Sequence, residues 1–162
     1  MILKHLTDFL QSLANTNHVF GDDDPRVAAV ALAFHVVDAD GQEQGVEKKV
    51  LYDIISHEFA LAGSELKALI EAGKAANRDS LDIFQFTSTL KRHLTRQECI
   101  KFIGLLWEIA YADGYIYELE DTLIWRIAEM IGVDRKDRLE LKKMAGQRKQ
   151  LTEKPEAPIE NE

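Results

Sequence analysis

The feature that most constrains the fold is an internal duplication, in which two segments of the chain match at a spacing of 73 positions. Asp40-Gly41 in the first segment corresponds to Asp113-Gly114 in the second, and Glu47 corresponds to Glu120. The apolar residues around these positions also match; the pairs are Leu32 with Leu105, Phe34 with Trp107, Val50 with Leu123, Leu51 with Ile124 and Ile54 with Ile127. A fixed spacing between similar segments indicates a repeated structural unit.

Each copy has the pattern of two helices joined by a turn. In the first copy Val30, Phe34 and Val37 recur at helical spacing before the Asp-Gly pair, and a glycine just past such a run commonly ends a helix. Apolar residues resume at helical steps after Val46 and after Leu119, so a second helix follows each turn. The duplication therefore predicts two helical hairpins related by a pseudo-twofold axis.

The predicted hairpins cover about 25–61 and 100–133, and each turns at an acidic stretch. We call residues 38–47 the first corner and residues 111–120 the second corner. The same spacing predicts further helices over about 1–14, 63–76, 81–93 and 134–147. No segment alternates with the two-residue period of a strand. The expected fold class is all-α, a single-domain bundle of seven to eight helices over 1–148.

Local signals at the helix ends support these boundaries. Asp24 is a favoured N-cap residue and is followed by Pro25, which suits the first helical turn. Thr95 and Glu98 have the spacing of a capping box. Four apolar side chains are expected to anchor the 81–93 helix in the core; they are Leu81, Phe84, Phe86 and Leu90. The last residues contain two prolines among charges, which predicts a disordered tail over 149–162.

Composition bounds the location and the partners of the chain. Cys99 is the single cysteine, which excludes an internal disulfide and favours a reducing compartment. No apolar run reaches the roughly 20 residues of a membrane span, and the first residues lack a signal-peptide pattern, so a cytoplasmic location is expected. The net charge of −8 is unevenly placed, because basic residues gather in 134–149. The acidic body argues against nucleic-acid binding.

The acidic corners also carry a family resemblance. In both copies the residues Ala-Asp-Gly are followed, six residues after the glycine, by a glutamate that opens a helix. These segments resemble the TerB family of tellurite-resistance proteins, and the same module is similar to the amino-terminal domain of some DnaJ-like co-chaperones. The resemblance covers roughly 24–144. It implies an all-helical domain of a tellurite-resistance or stress-response protein with no defined reaction. The acidic charge argues against direct capture of tellurite, an anion that such a field repels.

The corners are the candidate site of the chain. When each Asp-Gly pair is set at positions 5 and 6 of a calcium-binding loop, Glu47 and Glu120 fall at position 12, which such loops fill with a bidentate glutamate. Position 1 would be Val36 or Ile109, neither of which can bind a cation, so each corner alone offers too few oxygens. Pooling the corners predicts a site for a divalent cation; the candidate ligands are Asp38, Asp40, Glu47, Asp113 and Glu120.

Two alternatives to a cation site stay open. Aspartate before glycine stabilises a turn, and glutamate in the first helical turn favours the positive end of the helix dipole, so a structural role explains the same carboxylates. The second alternative is a metal-free surface for a protein partner, related to the co-chaperone domain. Tyr115 and Tyr117 at the second corner suit such a contact. The basic last helix is a candidate for peripheral contact with acidic lipids.

The remaining reactive side chains do not form a catalytic pattern. His57-Glu58 begins a zincin motif, but Leu61 stands where the second histidine is needed. Cys99 is expected to be a small buried hydrophobic residue. The sequence has no P-loop and no nucleophile elbow. We therefore expect a non-enzymatic protein with no certain cofactor, for which a divalent cation is the candidate.

Overall fold

Seven α-helices make up the computed structural model, which describes residues 21, 23–39, 45–114 and 116–152, with side chains up to 147. The helices are α1 (Pro25–Val37), α2 (Gly45–Phe59), α3 (Gly63–Asp79), α4 (Phe84–His93), α5 (Arg96–Ala110), α6 (Glu118–Met130) and α7 (Arg135–Thr152). The described residues contain no β-strand. The predicted all-α bundle of seven to eight helices is therefore confirmed, and the helix predicted over 1–14 lies outside the described residues.

Helices α1 and α5, which lead into the two corners, form the centre of the bundle. Helix α1 packs against α3 and α4 and also contacts α2, α5 and α6. Ten of its 13 residues are buried, so α1 is covered on all sides instead of along one stripe. Helix α5 packs mainly against α7 and α6, and Ile103, Leu106 and Trp107 are fully or almost fully buried in it. Both corners thus start from the same core.

The helix starts predicted at Asp24 and Thr95 are confirmed. Asp24 accepts the Arg26 backbone N–H at 2.9 Å and pairs with the Arg26 guanidinium, also at 2.9 Å. Thr95 and Glu98 form both hydrogen bonds of the capping box: the Glu98 N–H donates to Thr95 Oγ1 at 3.2 Å, and the Thr95 N–H donates to Glu98 Oε1 at 2.9 Å. Side-chain caps of this kind satisfy backbone N–H groups that the first turn leaves unpaired.

Three of the six helix boundaries in each half lie 73 positions from their counterparts, and the other three depart from that spacing by one or two residues. Helix α1 ends at Val37 and α5 at Ala110, α2 begins at Gly45 and α6 at Glu118, and α3 ends at Asp79 and α7 at Thr152. Each of these pairs of boundaries is 73 positions apart, like the Asp-Gly pairs in the sequence. The repeated register therefore includes a third helix beyond the predicted hairpins over 25–61 and 100–133. The pseudo-twofold orientation of the halves stays a prediction.

An aromatic pair occurs at the same place in each half. Phe34 of α1 meets Tyr52 of α2 edge to face, with ring centroids 6.3 Å apart and an interplanar angle of 60°. Their counterparts, Trp107 of α5 and Trp125 of α6, meet at 6.0 Å and 65°. Both arrangements lie in the range that aromatic pairs favour. The match between Phe34 and Trp107 in the sequence therefore extends to the rings that they contact.

Two predictions about α3 and α4 are wrong. Helix α3 does not break at 77–80 but continues to Asp79, and Asn77 Oδ1 lies 3.2 Å from His35 Nδ1 on α1. Leu81 and Phe84 do not anchor α4, because Leu81 is fully exposed and Phe84 is 63% exposed. The helix begins only at Phe84, whose N–H donates to Asp82 Oδ1 at 3.0 Å.

The carboxyl-terminal boundary also differs from the prediction. Helix α7 extends to Thr152, so residues 149–152 of the predicted disordered tail are helical, and residues 153–162 lie outside the described residues. Helix α7 is therefore 18 residues long, close to the 17 residues of α3. Among the described residues, no helix combines the length and the apolar composition that crossing a membrane requires.

Candidate functional site at the acidic corners

The first corner follows α1. Asp38 is the exposed C-cap residue of α1, and its backbone N–H donates to Phe34 O at 2.9 Å. Asp40 lies outside the described residues. Glu47 is the third residue of α2, and its exposed fraction is 0%. The two described candidate ligands of this corner thus have opposite environments, one in solvent and one in the interior.

The second corner has the same plan with different residues. Tyr111 is the C-cap residue of α5, and the Gly114 N–H donates to Tyr111 O at 2.9 Å. Gly114 has a φ of +99°, which glycine adopts without steric cost. Asp113 is half-buried, and its buried Oδ1 has no hydrogen-bond partner among the described residues. Glu120 is the third residue of α6 and, like Glu47, is 0% exposed.

The burial of Glu47 and Glu120 is the most unusual property of the corners. Glutamate is almost never fully buried unless it is paired, because removing a carboxylate from water is unfavourable by several kcal/mol per ion. Each glutamate has an interaction partner, and each lies in the first turn of a helix, where the dipole favours negative charge. The same fully buried carboxylate therefore recurs at the same helical position, 73 residues apart.

The candidate ligands that the structure describes are not grouped as a cation site. Within the part of the chain that the structure describes, no group of three His, Cys, Asp or Glu side chains is placed to hold a metal ion. A divalent hard cation takes six or more oxygen ligands. The assignment of Asp38, Asp40, Glu47, Asp113 and Glu120 as ligands stays a prediction.

A lysine that the sequence did not single out lies over the aromatic pair of the first half. Lys74 of α3 places its Nζ 5.3 Å from the centroid of the Phe34 ring and 5.7 Å from that of Tyr52. A hydrogen bond with Tyr52 raises the pKa of Lys74 above its usual value; Glu71 and Asp38 raise it further, and burial opposes them. The ammonium group of Lys74 therefore lies next to Phe34, in the last turn of α1.

A second lysine pairs with a carboxylate that directly follows the second corner. Lys142 Nζ of α7 is 2.9 Å from Asp121 Oδ1, one residue after Glu120. The sequence places each lysine on the second helix after an acidic turn, which is the third helix of its half. Helical periodicity cannot identify their partners, because those partners are on other helices.

The other candidate residues are placed as structural residues. Cys99 is buried, as expected, and burial together with Glu98 raises the pKa of its thiol to about 11, which disfavours the reactive thiolate. Tyr117 is the half-buried N-cap residue of α6. Tyr115 lies outside the described residues.

Comparison with known proteins agrees with this arrangement of helices and corners. Residues 26–143 match the family model described as Tellurite resistance protein TerB. The chain belongs to the TerB family. The matched region begins in α1, includes both corners and ends in α7. No curated protein and no solved structure matches the chain.

Membership in the TerB family connects the chain with tellurite resistance at the level of the family. Proteins of this family are generally non-enzymatic. The resemblance stated from the acidic corners is thus confirmed over most of the chain, whereas the role of the corners is a separate question.

Proposed function

We propose that this TerB-family chain is a non-enzymatic protein of tellurite resistance or stress response that binds a divalent cation between its two acidic corners. The observation that carries the proposal is the complete burial of Glu47 and Glu120 at equivalent positions. Carboxylate oxygens are the ligands that hard divalent cations prefer. A bound cation would offset the unfavourable desolvation of these two charges. A role in packing alone does not need a charge, because a neutral side chain is sufficient for it.

Contacts between α2 and α5 support pooling of the corners. Glu58 Oε2 of α2 lies 3.6 Å from Lys101 Nζ of α5. Leu51 and Ile109, seven residues before Glu58 and eight after Lys101, line one small cavity between the same helices. The two helices are therefore antiparallel: from the ion pair, the amino-terminal end of α2 and the carboxyl-terminal end of α5 lie in the same direction.

This direction brings one corner toward the other. Glu47 lies 11 residues before Glu58, and Ala112 lies 11 residues after Lys101. At a rise of about 1.5 Å per residue, both positions are about 16 Å from the ion pair along their helices. We infer that Glu47 approaches the second corner, and α6, which packs against α1, has the reciprocal arrangement. Asp40 and backbone carbonyls of the turns would add the remaining oxygen ligands.

Calorimetric titration of the full chain with calcium, magnesium, manganese and zinc chloride tests the proposal. At least one ion is expected to bind the unaltered protein, and Glu47→Gln and Glu120→Gln should each weaken binding about tenfold or more, as expected for loss of a charged ligand. Glu65→Gln is the matched control, since Glu65 is an exposed glutamate in the first turn of α3. No heat and no change in melting temperature at millimolar metal would refute the proposal.

A metal-free interaction module is the second candidate function. It is favoured by the lack of a three-ligand group among the described residues and by Leu139 and Met144, which are 49% and 42% exposed on the basic helix α7. Aliphatic side chains beside lysines suit an acidic protein partner or an acidic lipid surface. A complex that survives a chelator, together with a silent metal titration, would favour this candidate over the cation site.

A further inference from the structure

Helix α4 has a position in the fold that no other described helix matches. The contacts of α1 with α2, α3 and α6 have counterparts in the contacts of α5 with α6, α7 and α2. Helix α4, which comes just before α5, also packs against α1 and α6. When the two halves are exchanged, this position belongs to a segment that comes before α1 and packs against α5 and α2. The described residues include no helix before α1.

The surface of α5 and α2 is more exposed than the equivalent surface of α1 and α6. Leu32 of α1 and Ile127 of α6 are both 0% exposed. Their counterparts, Leu105 of α5 and Ile54 of α2, are half-buried. The difference coincides with α4, which packs against the first pair of helices and has no described counterpart on the second pair.

Four half-buried apolar side chains form a groove along this more exposed surface. They are Ile54 and Phe59 of α2 and Phe102 and Leu105 of α5, and we call this surface the α2–α5 groove. Leu105 also lines a cavity of about 360 Å³ that extends to α7. Removing such a strip of apolar side chains from water is favourable, so the groove suits the apolar face of a helix.

The segment 1–14, for which the sequence predicts a helix, has an apolar stripe. Its members recur at three- and four-residue steps; they are Ile2, Leu6, Phe9, Leu10 and Leu13. A helix of this length is marginal by itself in water and gains most of its stability when its apolar face is packed. The stripe therefore calls for a surface such as the groove.

The chain enters the described structure within reach of the groove. Asp23, just before α1, has its Oδ2 2.9 Å from His93 Nε2 at the end of α4. Ala29 lines the groove together with its α2 and α5 residues, and it lies about 6 Å along the helix from the start of α1. Residues 15–23 span up to about 30 Å when extended, so they can connect a helix in the groove to α1.

We propose that residues 1–14 form a helix that packs in the α2–α5 groove, where they take the place that α4 takes on α1 and α6. The apolar stripe of the segment covers Ile54, Phe59, Phe102 and Leu105 and completes the core of the second half. Each half then contributes one helix to cover the central helix of the other. The inference is independent of the proposed cation site, because none of these residues is a candidate ligand.

Cross-linking of the full-length chain in a Cys99→Ala background tests this docking. Ser12 lies at the edge of the apolar stripe, and His57 is exposed on α2 beside the groove. A short bismaleimide should join Ser12→Cys to His57→Cys within one chain at least about fivefold faster than it joins Ser12→Cys to Leu81→Cys, because docking raises the effective concentration of one thiol at the other. Leu81 is the matched control, since it is fully exposed on the loop before α4.

Two results of the cross-linking would overturn the inference. Equal rates for the two pairs would show that the segment is not held at the groove. Products that join two chains instead of one would show that a second copy of the protein occupies the groove.

Thermal unfolding of full-length variants tests the same contact without a cross-link. Leu6→Ala and Leu105→Ala should each lower the melting temperature by about 4 °C or more. The double variant should lose clearly less than the sum, because both changes remove parts of one contact. Leu6→Ala combined with Leu81→Ala is the control pair and should be additive. Strict additivity for Leu6→Ala with Leu105→Ala would contradict the docking.

Discussion

The first half of the molecule, 25–79, and the second half, 96–152, share their helix register but differ in the side chains that surround the turn. Both halves place an aromatic pair in the core and a fully buried glutamate at the third position of the helix after the corner. Other positions differ, since Tyr111 corresponds to Asp38 and Gln147 corresponds to Lys74. A fully buried glutamate therefore recurs in both halves, whereas the C-cap residue of the preceding helix differs between them.

The halves also differ in how closely the third helix approaches the first. A Cβ atom added at Gly73 of α3 would lie 2.2 Å from Val30 Cγ1 of α1, whereas one added at Gly146 of α7 would lie 3.6 Å from the Tyr111 ring. The first distance is a severe overlap and the second is ordinary contact. At this position α3 therefore approaches α1 more closely than α7 approaches Tyr111, the C-cap residue of α5.

Removing the central ring of each aromatic pair is expected to have the largest effect. Phe34→Ala and Trp107→Ala should each lower the free energy of unfolding by about 4 kcal/mol, since both side chains are almost fully buried and leave cavities. Urea denaturation measures both values. Phe84→Ala, which removes an exposed ring, should change stability by less than about 0.5 kcal/mol. A difference of more than about 2 kcal/mol between Phe34→Ala and Trp107→Ala would break the equivalence of the two cores.

Adding one methyl group to the equivalent glycines should separate the halves next. Gly73→Ala is expected to destabilise by about 3 kcal/mol, because Cβ meets a β-branched side chain that cannot move aside. Gly146→Ala should be neutral or stabilising by up to about 1 kcal/mol, since alanine is the better helix former and has room. Melting temperatures of the two variants, measured side by side, check the contrast. A mild effect at Gly73 would mean that the close approach of α3 to α1 is not rigid.

The N-caps of the two central helices offer a smaller contrast. Asp24→Ala should destabilise by about 2 kcal/mol, because it removes both the cap of α1 and a carboxylate partner of the buried Arg26 guanidinium. Thr95→Ala removes only the capping box of α5 and should destabilise by about 1 kcal/mol. Chemical denaturation gives both values, with Asp24→Asn as the variant that keeps a cap acceptor without the charge. Equal losses for the two alanine variants would contradict the added role of Asp24.

The smallest expected effect concerns Cys99, which has Arg26 as its counterpart in the first half. Burial raises the folded-state pKa of the thiol to about 11, above its unfolded value of about 8.5. The contribution of the neutral buried thiol to stability is therefore complete below the unfolded pKa. It is lost as pH rises toward 11, because between the two pKa values the thiol ionises in the unfolded chain and stays neutral in the folded one. The melting-temperature difference between the unaltered protein and Cys99→Ser should therefore narrow or change sign between pH 8 and 10.5. A difference that is independent of pH would contradict the raised pKa.

Several elements of the fold follow from short-range signals in the sequence. The Asp24-Pro25 start, the Thr95-Glu98 capping box and the helices on both sides of each corner depend on residues within one or two turns of each other. The errors occur where tertiary packing takes over. Leu81 and Phe84 fit an apolar pattern, yet the helix begins too late to turn them inward, and Asn77 stays helical where it faces His35 of α1.

The candidate site divides in the same way. Repetition identifies Glu47 with Glu120 and Asp40 with Asp113 as corresponding acids, but it does not show that Asp38 is exposed while the two glutamates are buried. It also does not identify Lys74 over the rings of Phe34 and Tyr52 or Lys142 beside Asp121, because each lysine comes from a helix that lies farther along the chain.

The sequence by itself determined the helical period, most helix ends and the register of 73 positions, because these depend on interactions among neighbouring residues. Only the tertiary structure decided which carboxylates are buried and which side chains the lysines contact. It also decided how closely the third helix of each half approaches the first. Those properties depend on the packing of helices that are distant in the chain, and the same local pattern is compatible with either environment.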